Sequence, residues 1–358
     1  MEGKLQTFWA MLTDKGVAAV LYPLKLNPYF RHGEQTPWGG DALGSLFAKA
    51  IPDRRTGEAL EVSALPGMQS VVDNGELAGA PLSQAISLWG AGLTGLEGEE
   101  PFPLMVKLLA AREALSVQVH PDDAYAAQFG KLGKSEAWVV LSAPPGAKLV
   151  YGLRAGAESL EQIVAQGRLE QALNWVNVYP GDVLYIPSGM VHALGGCQGD
   201  LVVYEIQQSS DITYRFWDWG RVDQQGRPRE LHTQQALAVA KAELSLSPVS
   251  GATVLCQGGS VTYYIADRHF ELSRLNVAGD MPLAAGRMLL ITALGCGRLR
   301  WPQGQLELGP GQTALVPAGL EGAVLSGQLS ALCSSTPNQQ PLRALLGYRA
   351  GQVAGLTP

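Results

Sequence analysis

The segment Gly181–His192, with the sequence GDVLYIPSGMVH, constrains the fold of this chain more than any other. It predicts a short strand over Val183–Tyr185 that ends in a tight turn at Pro187 and Gly189, because these two residue types supply the backbone angles that tight turns need. The chain then returns in a strand that carries His192. A histidine held on a rigid β-turn and facing into a small barrel is well placed to bind a metal ion.

The composition favours many short strands over long helical repeats. The 358 residues include 43 glycines and 22 prolines, and only 16% are charged. Strands joined by Gly/Pro turns give this balance, and the length corresponds to about two domains. We therefore predict a mainly β fold with helical insertions, divided into a catalytic metal-binding domain at residues 1–245 and a second β domain without a metal site at residues 246–358. Residues 1–20 are compatible with a short amphipathic helix.

Charge and cysteine usage restrict the partners and the compartment. The net charge is −6 and the pI is near 5.5, so no nucleic-acid surface is expected. Asp14 and Lys15 interrupt the first apolar run, which argues against a signal peptide, and no apolar run is long enough to span a membrane. We expect a cytoplasmic protein with free thiols, since the four cysteines form no CxxC pair (Cys197, Cys256, Cys296 and Cys333).

Four side chains form a candidate metal site. In the strand predicted at Leu115–Asp123 (LSVQVHPDD), Gln118 and His120 lie on the same face, about 7 Å apart. Glu136 opens the next apolar strand, and His192 adds a second imidazole. Mixed nitrogen and oxygen ligands suit zinc, with manganese, cobalt or iron as alternatives, and leave positions open for a substrate oxygen. The alternative is that these four side chains only hydrogen-bond to one another in a buried core and bind no metal.

Three further polar residues have two interpretations each. Lys107 lies in the apolar run PLMVKLLAA, where a lysine either reaches the surface or points into a polar pocket, and the residues alone favour the surface. Asp211 and Arg215 are four residues apart. They are either a weak helical ion pair or, in a loop beside the metal, an acid/base group and a cation that stabilises an oxyanion.

Helical periodicity predicts helices within residues 155–173 and 234–242.

The motifs LSVQVHPDD, GKSEAW, PGDVLYIPSGMVHAL and YEIQQSSDITYRFWDWGR…GRPRELH together resemble the type I mannose-6-phosphate isomerases in their short bacterial form. The spacing of Gly181, Pro187, Gly189 and His192 also matches a signature of the cupin superfamily. The resemblance runs from about Leu24 to the C-terminus. It implies two cupin-type β-barrel (jelly-roll) domains and one zinc ion per chain. It also implies interconversion of D-mannose 6-phosphate and D-fructose 6-phosphate through a metal-stabilised enediolate.

The resemblance also implies roles for individual residues. The family's zinc ligands correspond to Gln118, His120, Glu136 and His192, its phosphate-contacting residues to Lys107 and Ser116, its active-site lysine to Lys134, and its acid and arginine to Asp211 and Arg215. For Lys107 this contradicts the surface interpretation. Two positions depart from the family: Gly133 replaces a histidine of the larger members that has been discussed for sugar ring opening, and Leu60 replaces a tryptophan.

Other functions remain compatible with a metal cupin. The chain could act on another sugar phosphate, or it could be an iron dioxygenase, although Lys107 and Ser116 argue for a phosphorylated substrate. It could also be a binding protein for sugar phosphates without turnover, which would not need Lys134, Asp211 and Arg215. The expected partner is a small sugar phosphate, and the expected state is a monomer or a homodimer.

Overall fold

A computed structural model describes residues 20–98, 101–154, 156, 158–196, 199–244 and 246–356. The strands are β1 (Leu24–Asn27), β2 (Tyr29–His32), β3 (Thr56–Val62), β4 (Val71–Val72), β5 (Leu104–Ala111), β6 (Val117–Val119), β7 (Glu136–Ser142), β8 (Lys148–Leu153), β9 (Leu173–Asn177), β10 (Val183–Ile186), β11 (His192–Ala193), β12 (Leu201–Gln208), β13 (Tyr214–Trp217), β14 (Ala252–Cys256), β15 (Gly259–Ala266), β16 (Glu271–Pro282), β17 (Leu289–Ala293), β18 (Gly297–Trp301), β19 (Gly304–Leu308), β20 (Thr313–Val316) and β21 (Val324–Ser335). The α-helices are Ala42–Phe47, Leu82–Trp89, Ala91–Thr94, Asp123–Ala126, Leu160–Ala165, Leu169–Ala172, Thr233–Val239 and Gln339–Leu346, and the 3-10 helices are Gly33–Gln35, Gly75–Leu77, Ala127–Phe129 and Gly347–Gln352.

The strands form three antiparallel sheets. The central sheet has the order β10-β7-β12-β5-β3-β2, and the outer sheet has the order β13-β6-β11-β8-β9. The third, the C-terminal sheet, has the order β14-β15-β16-β21-β17-β20-β1-β4, with β18 paired to β21 and β19. The mainly β fold with helical insertions is therefore confirmed.

The central sheet is covered on both faces, which explains why β5 reads as a nearly continuous apolar run and why every residue of β12 is buried. On one face, Leu109 and Trp138 share a buried cluster with Tyr151 of the outer sheet. On the other face, Leu108 belongs to a cluster that includes Leu332 of the C-terminal sheet. Alternate residues of each strand thus serve two different cores.

The first strand of the chain belongs to the C-terminal sheet. Leu24 pairs with Leu315, and Leu26 pairs with Thr313 and, on its other side, with Val72. This sheet also encloses a core of its own, which includes Ile291. Residues near both ends of the chain therefore build one sheet, and the division at residues 245 and 246 stays a prediction.

The helices predicted by periodicity are present. Leu160–Ala165 and Leu169–Ala172 lie within residues 155–173, and Thr233–Val239 overlaps 234–242. The helix predicted for residues 1–20 lies outside the described residues apart from its last position, and Cys197 also lies outside them. The other three cysteines are unpaired, and no helix of the described chain is long and apolar enough to cross a membrane.

A buried ion pair connects the central sheet to the C-terminal sheet. Lys49 Nζ lies 2.7 Å from Glu61 Oε1 on β3, and both side chains are almost completely buried. The same ammonium donates to the main-chain oxygen of Gly311 at 2.8 Å, and Thr313 Oγ1 on β20 donates to Glu61 Oε2 at 3.3 Å. Burial raises the pKa of Glu61, although Lys49 opposes the shift.

We expect Lys49→Met to lower the free energy of unfolding by about 3–5 kcal/mol, because it leaves the Glu61 carboxylate buried without a counter-charge. The double variant Lys49→Met/Glu61→Leu should recover most of this loss. Arg298→Ala removes an exposed pair with Glu307 and should cost no more than about 1 kcal/mol. Denaturant titration measures all three, and a double variant as unstable as Lys49→Met would contradict this account.

Candidate metal centre and active-site cavity

His120, Glu136 and His192 bring one ligand atom each to within 4.8 Å of one another, and all three are buried. Glu136 is the first residue of β7 in the central sheet, and His192 opens β11 in the outer sheet. His120 follows β6 directly, and Gly189 N of the turn before His192 donates to His120 O at 2.8 Å. Gly189 has a φ of +91°, which favours glycine. The cluster therefore lies between two sheets, and the turn is bonded to it.

Main-chain carbonyls fix the tautomers of both histidines. His120 Nδ1 lies 3.0 Å from Ile212 O, and His192 Nδ1 lies 2.8 Å from Met190 O. A carbonyl oxygen only accepts, so each Nδ1 carries the proton and donates it, and each Nε2 keeps a lone pair. The two Nε2 atoms face Glu136, at 3.5 Å from Oε2 and 3.1 Å from Oε1 respectively. In metal sites, such a hydrogen bond from the far ring nitrogen holds the imidazole in the orientation in which it binds the ion.

The donor set fits a cation. Glu136 Oε1 is buried without a hydrogen-bond donor, yet it faces the lone pair of His192. Burial opposes ionisation of Glu136, but Lys134 and the histidines lower its pKa well below the usual range. Burial, together with the charge of Lys134, lowers the pKa of His120 to about 3. Two imidazoles, one of them strongly held neutral, and a carboxylate are good ligands for a divalent metal.

Gln118 and Lys134 complete the surroundings of the cluster. Gln118 pairs with His192 across β6 and β11, and its Nε2 lies 3.3 Å from His192 Nε2. The oxygen and nitrogen of an amide are assigned from such networks, so a rotated Gln118 would present its oxygen as a fourth ligand. Lys134 Nζ lies 2.6 Å from Glu136 Oε2 and 3.1 Å from His120 Nε2. A buried amine thus lies directly against the candidate ligands.

A cavity of about 280 Å³ lies beside this cluster. Six of the nine site residues predicted from the sequence line it: Lys107, Ser116, Gln118, Lys134, Asp211 and Arg215. Gln118 and Lys134 also contact His192 and Glu136, so they connect the cavity to the candidate metal centre. The fold thus brings together residues that lie more than a hundred positions apart in the chain.

Lys107 lies in a row of charged side chains on neighbouring strands of the central sheet, beside Glu58 and Glu205. The sequence pattern does not reveal this row. Its side chain is 12% exposed, and its Nζ lies 3.1 Å from Glu205 Oε1 and 3.7 Å from Glu58 Oε2. Glu205 also accepts from Trp138 Nε1 at 2.7 Å. Burial opposes the charge of Lys107, but the two carboxylates raise its pKa. The surface interpretation of Lys107 is wrong, because the lysine shares its face of β5 with Leu109 and points into the cavity.

Asp211 and Arg215 line the same cavity but have different partners. Asp211 Oδ1 lies 2.7 Å from Lys131 Nζ, and both side chains are about half exposed. Arg215 donates from a terminal guanidinium nitrogen to Glu230 O at 2.7 Å, while its Nε is buried without an acceptor. Burial and the nearby charge of Arg229 lower the pKa of Arg215. The two residues are therefore not a helical ion pair.

Gly133, one of the two positions expected to depart from the family pattern, has no room for a side chain. A Cβ at this position would lie 2.6 Å from the main chain of Asp122 and of Asp123. The amide of Gly133 also donates to Asp123 Oδ1 at 3.0 Å. The absence of a side chain at Gly133 is thus part of how this loop packs. Leu60, the other departure, lines the cavity.

We expect His192→Ala to abolish metal binding, because it removes one of the two imidazole ligands. Metal analysis of the purified, dialysed protein measures this, with circular dichroism to establish that the variant is folded. His32→Ala is the matched control, since His32 is partly exposed and pairs with Asp53 away from the cavity. A folded His192→Ala variant with the metal content of the wild type would contradict the ligand assignment.

The family model and the relatives that match this chain agree with one another. The family model described as phosphomannose isomerase type I, catalytic domain, matches residues 25–137. A mannose-6-phosphate isomerase of Streptococcus mutans is 36% identical over 304 residues, covering 83% of this chain and 94% of the relative. The mannose-6-phosphate isomerase ManA of Bacillus subtilis is 35% identical over 320 residues, covering 87% and 98%.

The fold also agrees with solved structures. The crystal structure of the mannose 6-phosphate isomerase from Bacillus subtilis superposes with a TM-score of 0.79 at 32% identity, covering 87% of this chain and 99% of that one. An archaeal structure from Archaeoglobus fulgidus, at 20% identity and a TM-score of 0.68, shares the fold. The family predicted from the motifs is confirmed, and the chain belongs to the type I mannose-6-phosphate isomerases.

Proposed function

We propose that this protein is a metal-dependent aldose–ketose isomerase that interconverts D-mannose 6-phosphate and D-fructose 6-phosphate. One observation carries the proposal: a buried His120–Glu136–His192 donor set adjoins a cavity that is lined by Lys107 and Arg215. Such a site can hold a sugar phosphate at one end and reacting carbons at the other. The names of relatives that match over almost their whole length support the same reaction.

Zinc is the proposed metal, at one ion per chain, with other divalent metals as alternatives. His120, Glu136 and His192 would hold it, together with the oxygen of Gln118. A donor set of two imidazoles, a carboxylate and an amide oxygen suits zinc, and manganese, cobalt or iron also accept such ligands. When bound, the metal would supply a Lewis acid for the oxygens of the sugar.

Lys134 is the proposed group for proton transfer at C1 and C2. Isomerisation moves a proton between these carbons, which requires a basic side chain within reach of both. Lys134 is 5% exposed, lines the cavity and contacts Glu136, so its amine is held beside the reacting end. Asp211 lies on the same cavity and is the proposed second proton-transfer group, acting at a sugar oxygen after it separates from Lys131.

Arg215 is proposed to stabilise the negative charge that develops on a sugar oxygen. Its unsatisfied buried Nε and its place in the cavity wall give it a donor that substrate can use. A fixed cation in a site shielded from water stabilises developing charge more strongly than one in bulk solvent. Lys107 and Ser116 are the proposed anchors of the phosphate, which positions C1 and C2 from a distance.

Ring opening is assigned to water or to another cavity group, or the open-chain sugar is the substrate. The tight packing around Gly133 supports this assignment, because no side chain fits there. The protein is proposed to work as a monomer or homodimer in the cytoplasm, without nucleic-acid partners. The unpaired Cys256, Cys296 and Cys333 suit a reducing compartment.

Conversion of mannose 6-phosphate to fructose 6-phosphate by the purified protein is the direct test. We expect turnover that a chelator abolishes and added zinc restores, because the ligand set needs the metal to stabilise charge on the sugar oxygens. A matched sample of chelated protein returned to metal-free buffer should stay inactive. Undiminished turnover after complete metal removal would contradict the mechanism, and no turnover in metal-loaded, folded protein would contradict the assigned substrate.

We expect Lys134→Gln to lower kcat by about 10²–10⁴-fold, because it removes a proton-transfer group. The metal content should remain that of the wild type, since the ligands His120, Glu136 and His192 are retained. Lys148→Gln is the control for a lysine outside the cavity; Lys148 is exposed on β8 and lies against Trp175. Steady-state kinetics and metal analysis test the prediction, which fails if the metal-loaded Lys134→Gln variant keeps the wild-type kcat.

A further inference from the structure

We propose that Arg31 determines specificity at the phosphate end of the cavity by supplying the second cation that holds the phosphate group beside Lys107. The inference rests on the proposed function, since it concerns the same cavity and a phosphorylated substrate. Arg31 lies on β2 and lines the cavity together with Lys107 and Ser116.

The register of the central sheet brings Arg31 to this position. Arg31 pairs with Glu58 across β2 and β3, and Glu58 pairs with Leu109 across β3 and β5. Paired residues in an antiparallel sheet share a face, and Lys107 is two residues from Leu109 on the same strand, so these side chains all face the cavity. Glu205, paired with Lys107 from β12, completes the row.

The charges in this row require a cation in addition to Lys107. Burial opposes the ionisation of Glu58, but Lys107 and Arg31 lower its pKa, so it is a carboxylate at neutral pH. Lys107 lies between the two carboxyl groups of Glu58 and Glu205, so Lys107 alone would leave an excess of negative charge, which repels a phosphate dianion. Arg31 brings the row to neutrality. A phosphate group can then replace Glu58 as the partner of the guanidinium.

The distances suit one phosphate group between the two cations. A terminal nitrogen of Arg31 and Nζ of Lys107 contact the same oxygen, Glu58 Oε2, at 3.3 and 3.7 Å. The two nitrogens are therefore no more than about 7 Å apart, a span that one phosphate bridges with charge-assisted hydrogen bonds of about 2.8 Å at two of its oxygens. The guanidinium can also bind two oxygens at once, which an ammonium cannot.

Arg31 and Lys107 differ in how much of their side chains is exposed, which gives them different roles. The Arg31 side chain is 37% exposed and the Lys107 side chain 12%. Arg31 thus has room to turn from Glu58 towards an incoming phosphate, while Lys107 stays fixed between Glu58 and Glu205. A sugar without a phosphate offers no anion that could replace Glu58 as the partner of Arg31, so the ion pair between Arg31 and Glu58 stays intact. Arg31 therefore favours phosphorylated over free sugars.

The test compares Arg31→Ala and Arg31→Lys with Arg54→Ala, a control that removes an exposed arginine paired with Asp41 outside the cavity. Inorganic phosphate is the probe for binding, by calorimetry on metal-loaded protein, and mannose 6-phosphate is the substrate for kinetics. For Arg31→Ala we expect the Kd of phosphate and the KM to rise about 10- to 100-fold, the loss of one charge-assisted bidentate contact, with little change in kcat. Arg31→Lys should be intermediate, and Arg54→Ala should match the wild type.

Two further measurements separate phosphate binding from a structural role. Millimolar guanidinium should partly restore the KM of Arg31→Ala, which it cannot do for a folding defect. Glu58→Gln should lower the Kd of phosphate, because it removes a competing negative charge while Arg31 remains. An Arg31→Ala variant with the wild-type Kd for phosphate, or a Glu58→Gln variant that binds phosphate more weakly, would overturn the inference.

The outcomes also separate this inference from the proposed function. If the wild type isomerises mannose 6-phosphate and Arg31→Ala retains its KM, the inference fails and the function stands. If the wild type binds phosphate through Arg31 but does not turn over mannose 6-phosphate, the assigned reaction fails and the phosphate subsite stands.

Discussion

The antiparallel pairing of β12 with β5 on one side and β7 on the other is the constraint on which the site depends. It places Glu205 opposite Lys107 and Gln207 opposite Glu136, on one face of the central sheet. A shift of register by one residue would turn these side chains into the opposite, apolar core. The same hydrogen-bond ladder that stabilises the sheet thus fixes the spacing between the proposed phosphate end and the candidate metal centre.

Several buried carboxylates of this interior are each compensated by a nearby lysine. Lys134 lies against Glu136, Lys107 lies between two glutamates, and Lys49 neutralises Glu61. Each buried carboxylate would be strongly unfavourable alone and becomes tolerable beside a cation. For Glu61, Glu58 and Glu205 that cation comes from another segment, whereas Glu136 is paired with Lys134 of the residues just before β7. The polar residues therefore help to specify how the segments assemble, in addition to any chemistry they perform.

Local patterns predicted the elements and many of the residues that meet at the cavity. Strand alternation predicted Gln118 and His120 on one face, and in the structure Gln118 lies on β6 and His120 directly follows it. Periodicity correctly located the helices within residues 155–173. Lys107 was misread from its apolar run, because its surroundings are set by Glu205 and Glu58 on other strands. Arg31 and Glu58 carried no local signal, since their position depends on the pairing of β2, β3 and β5. The proposed roles of these residues come from the resemblance to a known family, because spacing alone left them open.

The pairing of β1 with β20 has a consequence for synthesis on the ribosome. Leu24–Asn27 emerges early, whereas its partner Thr313–Val316 is translated near the end of the chain. At about 5–20 residues per second, the interval is on the order of tens of seconds. During that time one edge of β1 has no strand beside it, and an open edge invites pairing with other nascent chains. Completion of the C-terminal sheet is thus a late event in the cell, and slow translation extends the period of exposure.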